Sequence, residues 1–248
     1  MISIKTPDEI AIMREGGHML ARVMKDLFQQ VKPGITTEEL DAYAESQILK
    51  AGCQPAFKGY QGFPKTLCTS LNDEVVHAVP GRRALKEGDI LTLDLGLIWQ
   101  RFYLDMARTM PVGNVGMEAM HLIHTTKKAL RLGIKKARPG NTVGDIGNTV
   151  QRFVERQGYN VVRNLCGHGI GKELHEDPQI PNFGKRHIGA KLQEGMVICI
   201  EPMITAGDWK LEKTADGFGF ATKDHSLSCH FEDTIAIGPN GPEVLTKV

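Results

Sequence analysis

The chain has 248 residues, a length that a single α/β or β-rich domain commonly reaches, so one compact domain over 1–248 is expected. Its hydrophobic fraction of 41%, charged fraction of 24% and formal net charge of +1 are those of an ordinary globular protein, and they exclude a global field for nucleic acid or an anionic membrane. Five scattered cysteines without a C-x-x-C argue against a disulfide framework or zinc ribbon; with no signal-peptide pattern and no apolar run approaching ~20 residues, a cytoplasmic protein without a membrane span is expected.

Thr6-Pro7-Asp8-Glu9 reads as a helix start: Thr caps, Pro fits the first turn and Glu9 sits where a capping box needs it. Ile10, Met13, Leu20, Met24, Leu27 and Val31 continue as an apolar stripe, with Pro33-Gly34 as its stop. A second helix is expected from Thr36 or Thr37, supported by Glu39, to about Gly52. Residues 53–64, rich in Gly, Pro and aromatics, read as a loop. Short strands are expected near 66–70 and 74–78, and a clear pair over 90–98 and 101–110. Helices follow over about 117–137, closed by Pro139-Gly140, and from Thr142 to about Gln157. The remainder reads as strands with long loops, near 159–163, 196–201, 218–222 and 230–237. Two helices then strands, twice over, hints at a duplicated architecture. Segregated helices and mostly antiparallel strands give an α+β class.

Asp94 is out of place at the centre of the emphatic strand Ile90-Leu91-Thr92-Leu93-Asp94-Leu95-Gly96-Leu97-Ile98, because a buried carboxylate is costly without a partner. The following strand carries Asp105. A hairpin turning at Trp99-Gln100 sets 94 opposite 105, with Cβ atoms ~4.5–5.5 Å apart. Two facing carboxylates need a shared proton, a nearby Arg or Lys, or a metal; a slipped register with one Asp in solvent is the plainer alternative. His168 lies between glycines, Glu201 ends a buried-looking strand before Pro202, and Glu232 heads another. Alone, each is a weak signal. Together, four carboxylates and an imidazole suit hard or borderline divalent ions such as Mn, Fe or Co, and bridging carboxylates suit a metal pair.

The segments T-S-L-N-D-E-V-V-H (69–77), D-I-L-T-L-D-L-G (89–96), Y-L-D-M-A-R-T (103–109), C-G-H-G-I-G (166–171), H-E-D-P-Q-I-P (175–181), G-M-V-I-C-I-E-P (195–202) and F-E-D-T (231–234) resemble, in order and spacing, the type I methionine aminopeptidases of the creatinase-like, pita-bread fold. The resemblance covers almost the whole chain. It implies two pseudo-symmetric halves with an antiparallel sheet covered by helices. It implies two divalent ions (Co, Mn, Fe or Zn): Asp94 and Asp105 on the first, with Asp105 bridging; His168 on the second; Glu201 on the second and acting as general base; Glu232 bridging both. Water activated by the pair attacks the first peptide carbonyl. His175 then serves the developing oxyanion or scissile amide, and His77 serves the scissile nitrogen. Tyr60, Phe63, Cys68, Leu174 and Phe218 match the methionine pocket, and the family cleaves only before a small second residue. Asn72 and Ser228 match a monovalent-cation position. The implied partners are nascent chains beginning with Met and, as a further expectation, the ribosome, with the enzyme itself a monomer.

The chain departs from the family pattern at several positions. Phe57 stands where Cys is frequent, Leu174 and Phe218 replace other aromatics, His230 stands where Gln is common, and Asp233 where His is common. An X-Pro aminopeptidase of the same fold is disfavoured because the match begins almost at residue 1, where those enzymes carry an extra domain. A type II methionine enzyme is disfavoured for want of its long insertion. A non-catalytic peptide-binding relative is disfavoured because all five ligands stand. Gly167-x-Gly169-x-Gly171-Lys172 is neither a dinucleotide nor a P-loop motif, and no G-x-S-x-G occurs. His121 and His124, three apart on a helix, lack a third ligand. Lys127, Lys128, Arg131, Lys135, Lys136 and Arg138 form a basic face, and Lys210, Lys213 and Lys223 a basic loop.

Overall fold

The computed structural model describes residues 2–247. Four helices, α1 (Pro7–Phe28), α2 (Thr37–Lys50), α3 (Met117–Ile134) and α4 (Val143–Arg156), are joined by fifteen strands. The first five strands are β1 (Gln54–Pro55), β2 (Leu67–Leu71), β3 (Glu74–Val76), β4 (Ile90–Trp99) and β5 (Phe102–Pro111). After α4 come β6 (Asn160–Val161), β7 (Gly167–Gly169), β8 (Glu176–Ile180), β9 (Val197–Ile200) and β10 (Met203–Thr205). β11 (Leu211–Lys213), β12 (Phe220–Thr222), β13 (Ser228–His230), β14 (Glu232–Gly238) and β15 (Gly241–Val244) complete the chain.

The helix starts follow the sequence. Thr6 and Thr36 each accept from the backbone of Glu9 and Glu39, whose carboxylates return the bond, so both capping boxes are closed. α1 stops at Phe28, short of Val31 and the expected Pro33 boundary. Gln29, Gln30 and Val31 bond back three residues rather than four, a tightened terminal turn that still presents Val31 to the core. Several strands lie where the sequence reads as loop: β1, β7, β8, β10, β11, β13 and β15; the expected 53–64 loop also contains a 3-10 turn over Tyr60–Gly62. Each strand is short or interrupted by Gly, Pro or charge, so no period-two pattern marks it.

All strand pairs are antiparallel. The main sheet has nine strands in the order β1-β4-β5-β14-β9-β7-β8, with β2 added on β4 and β15 on β14. Two three-stranded sheets, β13-β10-β6 and β11-β12-β3, flank it. α1 and α2 bury their apolar faces with β2, β4 and β5 in one core. α3 and α4 form a second core with β9 and β14. Each half of the sheet thus carries its own helix pair, the α+β, pita-bread arrangement expected from the sequence.

The β4–β5 hairpin corrects one expectation. Its turn is Gln100-Arg101, not Trp99-Gln100, and both residues have positive φ (44° and 74°). This is the primed-turn geometry that suits hairpin twist, here made without Asn or Gly and so without a sequence mark. Asp94 therefore pairs with Ala107, and Asp105 with Gly96. The shift is by two positions, so both aspartates keep one face and become diagonal neighbours. A Cβ at Gly96 would lie 2.7 Å from Phe57 Cε1 and 2.9 Å from Ala56 Cβ, so glycine lets the residue 56–57 segment close down beside Asp105.

Candidate metal centre and active site

The sheet order explains why residues distant in sequence meet. Asp94 lies on β4, Asp105 on β5, Glu232 on β14, Glu201 just beyond β9 and His168 on β7, and these five strands are consecutive neighbours. Glu232 pairs with Ala107 and Asp233 with Ile200, which levels the ligands across one face. β7 carries His168 close to both neighbours because it is flanked by glycines. A Cβ at Gly167 would lie 2.3 Å from Cys199 O, and one at Gly169 2.1 Å from Asp177 O.

Asp94, Asp105, His168 and Glu232 are buried, and the Glu201 side chain is 12% exposed. Asp94 Oδ1, Asp105 Oδ1 and Glu232 Oε1 have no hydrogen-bond partner. Arg108 points to the opposite face, where it binds Asp233 and the carbonyls of Ala107 and Glu232. Burial pushes the Asp94 carboxyl up to about 6, against the pull of nearby His230. Burial, and then repulsion within the cluster that includes Asp94, push Asp105, Glu201 and Glu232 well above the ordinary carboxylate range. Four buried carboxylates without a cation are unstable as a purely protein arrangement, whereas divalent ions would balance their charge.

The donor atoms fit such ions. Oxygens of Asp94, Asp105 and Glu232 lie within 4.8 Å of one another, as do donors of Glu201, His230 and Glu232, and of His168, Cys199 and Glu232. His168 Nδ1 lies 2.9 Å from the Gly169 carbonyl, which fixes it as the donor and leaves Nε2 for a metal. That Nε2 is 3.7 Å from Glu201 Oε1 and 3.9 Å from Glu232 Oε1. Both spacings are too long for hydrogen bonds, yet within the ~4.2 Å that two ligands ~2.1 Å from one ion can span. Burial lowers the His168 ring to about 3, so it is neutral and able to ligate near pH 7.

The cluster floors a cavity of about 510 Å³. All the sequence-predicted metal, histidine and pocket residues line it: Tyr60, Phe63, Cys68, His77, Asp94, Asp105, His168, Leu174, His175, Glu201, Phe218 and Glu232. Asn72 and Ser228 lie apart from it, with Ser228 N donating to Asn72 O at 2.8 Å. His175 Nδ1 is 2.9 Å from the Tyr60 hydroxyl, so Nε2 is free to serve a ligand. Its ring meets His168 edge-on at 4.4 Å. His77 is held at φ 61°, with its ring against Phe220. Phe63 and Phe218 close the apolar end edge to face at 5.5 Å. The turn that carries Phe218 is organised by Asp216, which accepts from Val79 N, Thr214 Oγ1, Phe218 N and Gly219 N. Burial raises the Asp216 carboxyl, but these bonds outweigh it and hold the group down at about 2.

Other residues of this environment are not candidates from sequence. Gln61, Gly217 and Phe220 line the cavity but sit in no motif, Lys213 reads only as part of a basic loop, and Cys199, beside His168 and Glu232, looks like a strand hydrophobe. His230 stood out only as a departure. Its burial and its contact with Glu201 require the fold.

The model of metallopeptidase family M24 matches residues 11–239. The chain belongs to this family. It is 47% identical over 248 residues to the methionine aminopeptidase of Clostridium perfringens, covering 100% of both chains. It is 44% identical over 248 residues to methionine aminopeptidase 1 of Bacillus subtilis, again covering 100% of both. The crystal structure of the methionine aminopeptidase from Rickettsia prowazekii superposes with a TM-score of 0.98 at 39% identity, over 99% of this chain and 100% of that one. The chain is thus a metallopeptidase, and the buried acidic cluster is its candidate metal centre.

Proposed function

We infer that the protein is a metal-dependent aminopeptidase that removes N-terminal methionine, and that it does so when the second residue is small. The observation that carries this reading is the set of partnerless buried carboxylate oxygens at the floor of a cavity with an aromatic, thiol-lined end. The full-length similarity to methionine aminopeptidases supports it over X-Pro cleavage or passive peptide binding. The chain acts as a single catalytic domain.

Two divalent ions (Co, Mn, Fe or Zn) would be held here, Asp94 and Asp105 on the first, His168 and Glu201 on the second, with Asp105 and Glu232 shared. Bound there, they supply Lewis acidity and a lowered pKa for attacking water. The protein's own groups do the rest. Glu201, at the cavity wall, accepts the proton of the attacking water and returns it toward the leaving nitrogen. His175, oriented by Tyr60, presents Nε2 to the oxygen on which charge develops. His77 sits toward the scissile nitrogen and the next residue. Burial, aided by nearby His230 and His175, lowers its ring to about 4, so it is a neutral donor near pH 7. Tyr60, Phe63, Cys68, Leu174 and Phe218 take the methionine side chain, whose thioether makes favourable contacts with aromatic edges.

Beyond the active site, Asn72 and Ser228 are read as a monovalent-cation position; Ser228 Oγ lies 3.2 Å from Asn72 O and 2.8 Å from Glu74 O. The enzyme is proposed to act in the cytoplasm, as a monomer, on nascent chains. No helix among the described residues is long and apolar enough to cross a membrane. The basic loop of Lys210, Lys213 and Lys223 and the basic helical face of Lys127, Lys128, Arg131, Lys135, Lys136 and Arg138 are candidate ribosome contacts. Charge reversal of the contacting patch is expected to abolish co-pelleting with ribosomes, and unchanged pelleting on reversal of either patch rejects that contact.

A peptide assay tests the activity. Met-Ala-Ser should lose its methionine in the presence of Mn or Co, chelator should stop the reaction, and a Xaa-Pro peptide should remain intact. Cleavage of only the Xaa-Pro peptide would move the enzyme to the alternative activity.

A further inference from the structure

His230 ends β13 with its side chain 1% exposed. Its backbone is pinned from both sides by one hydroxyl: His230 N donates to Thr109 Oγ1 at 3.0 Å, and Thr109 Oγ1 donates to His230 O at 2.8 Å. Thr92 Oγ1, 2.7 Å away, donates to the same oxygen and fixes its rotamer. The ring is therefore delivered to the metal centre by a rigid frame. Yet Nδ1 and Nε2 are both buried without a hydrogen-bond partner. Leaving a buried polar atom unpaired costs about 1–3 kcal/mol, so an imidazole placed here needs a counterpart.

The counterpart in reach is Glu201. Its two oxygens face two different imidazoles: Oε1 is 3.7 Å from His168 Nε2, and Oε2 is 3.5 Å from His230 Nε2. A neutral imidazole carries one N–H, and a carboxylate accepts only. We propose that His230 is the positioning residue for Glu201: its Nε2–H donates to Oε2 and thereby turns Oε1 toward His168, the second ion and the attacking water. The inference rests on Glu201 being the base and ligand of the proposed reaction. Hydrogen bonds around reacting groups are commonly long outside the Michaelis complex, so 3.5 Å is a distance from which this contact can tighten. Without the donor, the Glu201 carboxylate could rotate and share both oxygens with the ion, which weakens its action as a base. Glutamine, common at this position in the resembling family, also carries an N–H donor; histidine supplies it here from a stiffer ring.

The test compares His230→Leu, His230→Gln and Glu201→Gln with the wild-type chain. Mn binding is followed by calorimetry, the Co-loaded proteins by visible spectra, and Met-Ala-Ser cleavage by kcat and KM. Removing partners that orient metal ligands costs about 10–100-fold in affinity or activity. His230→Leu should therefore weaken the second ion and lower kcat by that factor, shift the Co spectrum, and still bind two ions. KM should stay within about threefold, because no contact with substrate is lost. His230→Gln should restore most of the affinity and kcat. If Leu unfolds the chain, His230→Asn, which keeps a donor but shortens its reach, carries the same expectation. Wild-type affinity, spectrum and kcat in His230→Leu overturn the proposal. So does loss of one whole ion equivalent in both the Leu and Gln variants, since His230 would then be a ligand. Full activity in Glu201→Gln instead removes the role of Glu201 itself, a distinct outcome.

Discussion

The direction of His175 depends on a single hydrogen bond, donated by the Tyr60 hydroxyl to its Nδ1 at 2.9 Å, which leaves the ring proton on Nε2. If Nε2 serves the developing oxyanion, His175→Ala should lower kcat by about 10²–10³-fold, the range seen when one such donor is removed. KM should change far less, and steady-state kinetics on Met-Ala-Ser separate the two. A raised KM with kcat unchanged would instead mark His175 as a binding residue. At this scale the sequence was most informative about the aspartates. A carboxylate inside an apolar strand is costly, so Asp94 and Asp105 stand out from local sequence alone. His168, Glu201 and Glu232 carried little signal alone and needed the motif match. His230 carried less still, because its partner Glu201 is reached only across the sheet.

The elements position these residues by close backbone approach more than by side-chain packing. β7 is the clearest case. Gly169→Ala would place a methyl 2.1 Å from Asp177 O and 2.7 Å from Asp177 C, backbone atoms that cannot swing aside. Such overpacking costs about 1–3 kcal/mol, and it acts on the strand that holds His168. Melting should show a drop of about 2–4 °C per kcal/mol, with metal affinity falling in parallel; retained affinity would mean that β7 relaxes without moving His168. The capping box of α1 provides a contrast. Thr6→Ala removes the bond from Glu9 N, and neither residue lines the cavity. About 1 kcal/mol of stability should be lost, a shift of about 2–4 °C, with kcat unchanged. Helices of this kind were legible because caps and apolar stripes are local. The hairpin register was not: Gln100-Arg101 turns with positive φ but without Asn or Gly. The even shift nonetheless preserved the face on which both aspartates stand.

The whole molecule brings four carboxylates together from β4, β5, β14 and the end of β9, and this concentration of charge makes it pH-sensitive. Asp94 is raised from 3.8 to about 6, chiefly by burial. A raised carboxyl favours the protonated folded form, so its stabilising contribution is present below the unfolded value and lost as pH rises through about 6. The metal-free protein should accordingly be the more strained above that pH, while ions compete with protons for the same oxygens. Metal affinity should rise with pH through about 6, and the melting-temperature gap between metal-loaded and metal-free protein should widen from about pH 5 to about pH 7.5. A gap independent of pH would show that these carboxylates are already ionised without metal. The pair of helix-covered halves was foreshadowed by the repeated order of helices and strands. The strand order that makes the five candidate ligands adjacent was not, since β14 inserts between β5 and β9 by long-range pairing that no local pattern records.

On this reading, Asp94, Asp105, His168, Glu201 and Glu232 hold two divalent ions that the peptidase reaction requires. The most direct measurement counts Mn per chain by elemental analysis, alongside Met-Ala-Ser cleavage, in the wild-type protein and in Asp94→Asn. Two ions in the wild type, with loss of the first ion and of activity together in the variant, is the predicted result. Full activity in Asp94→Asn, or an ion count that the substitution leaves untouched, would contradict it.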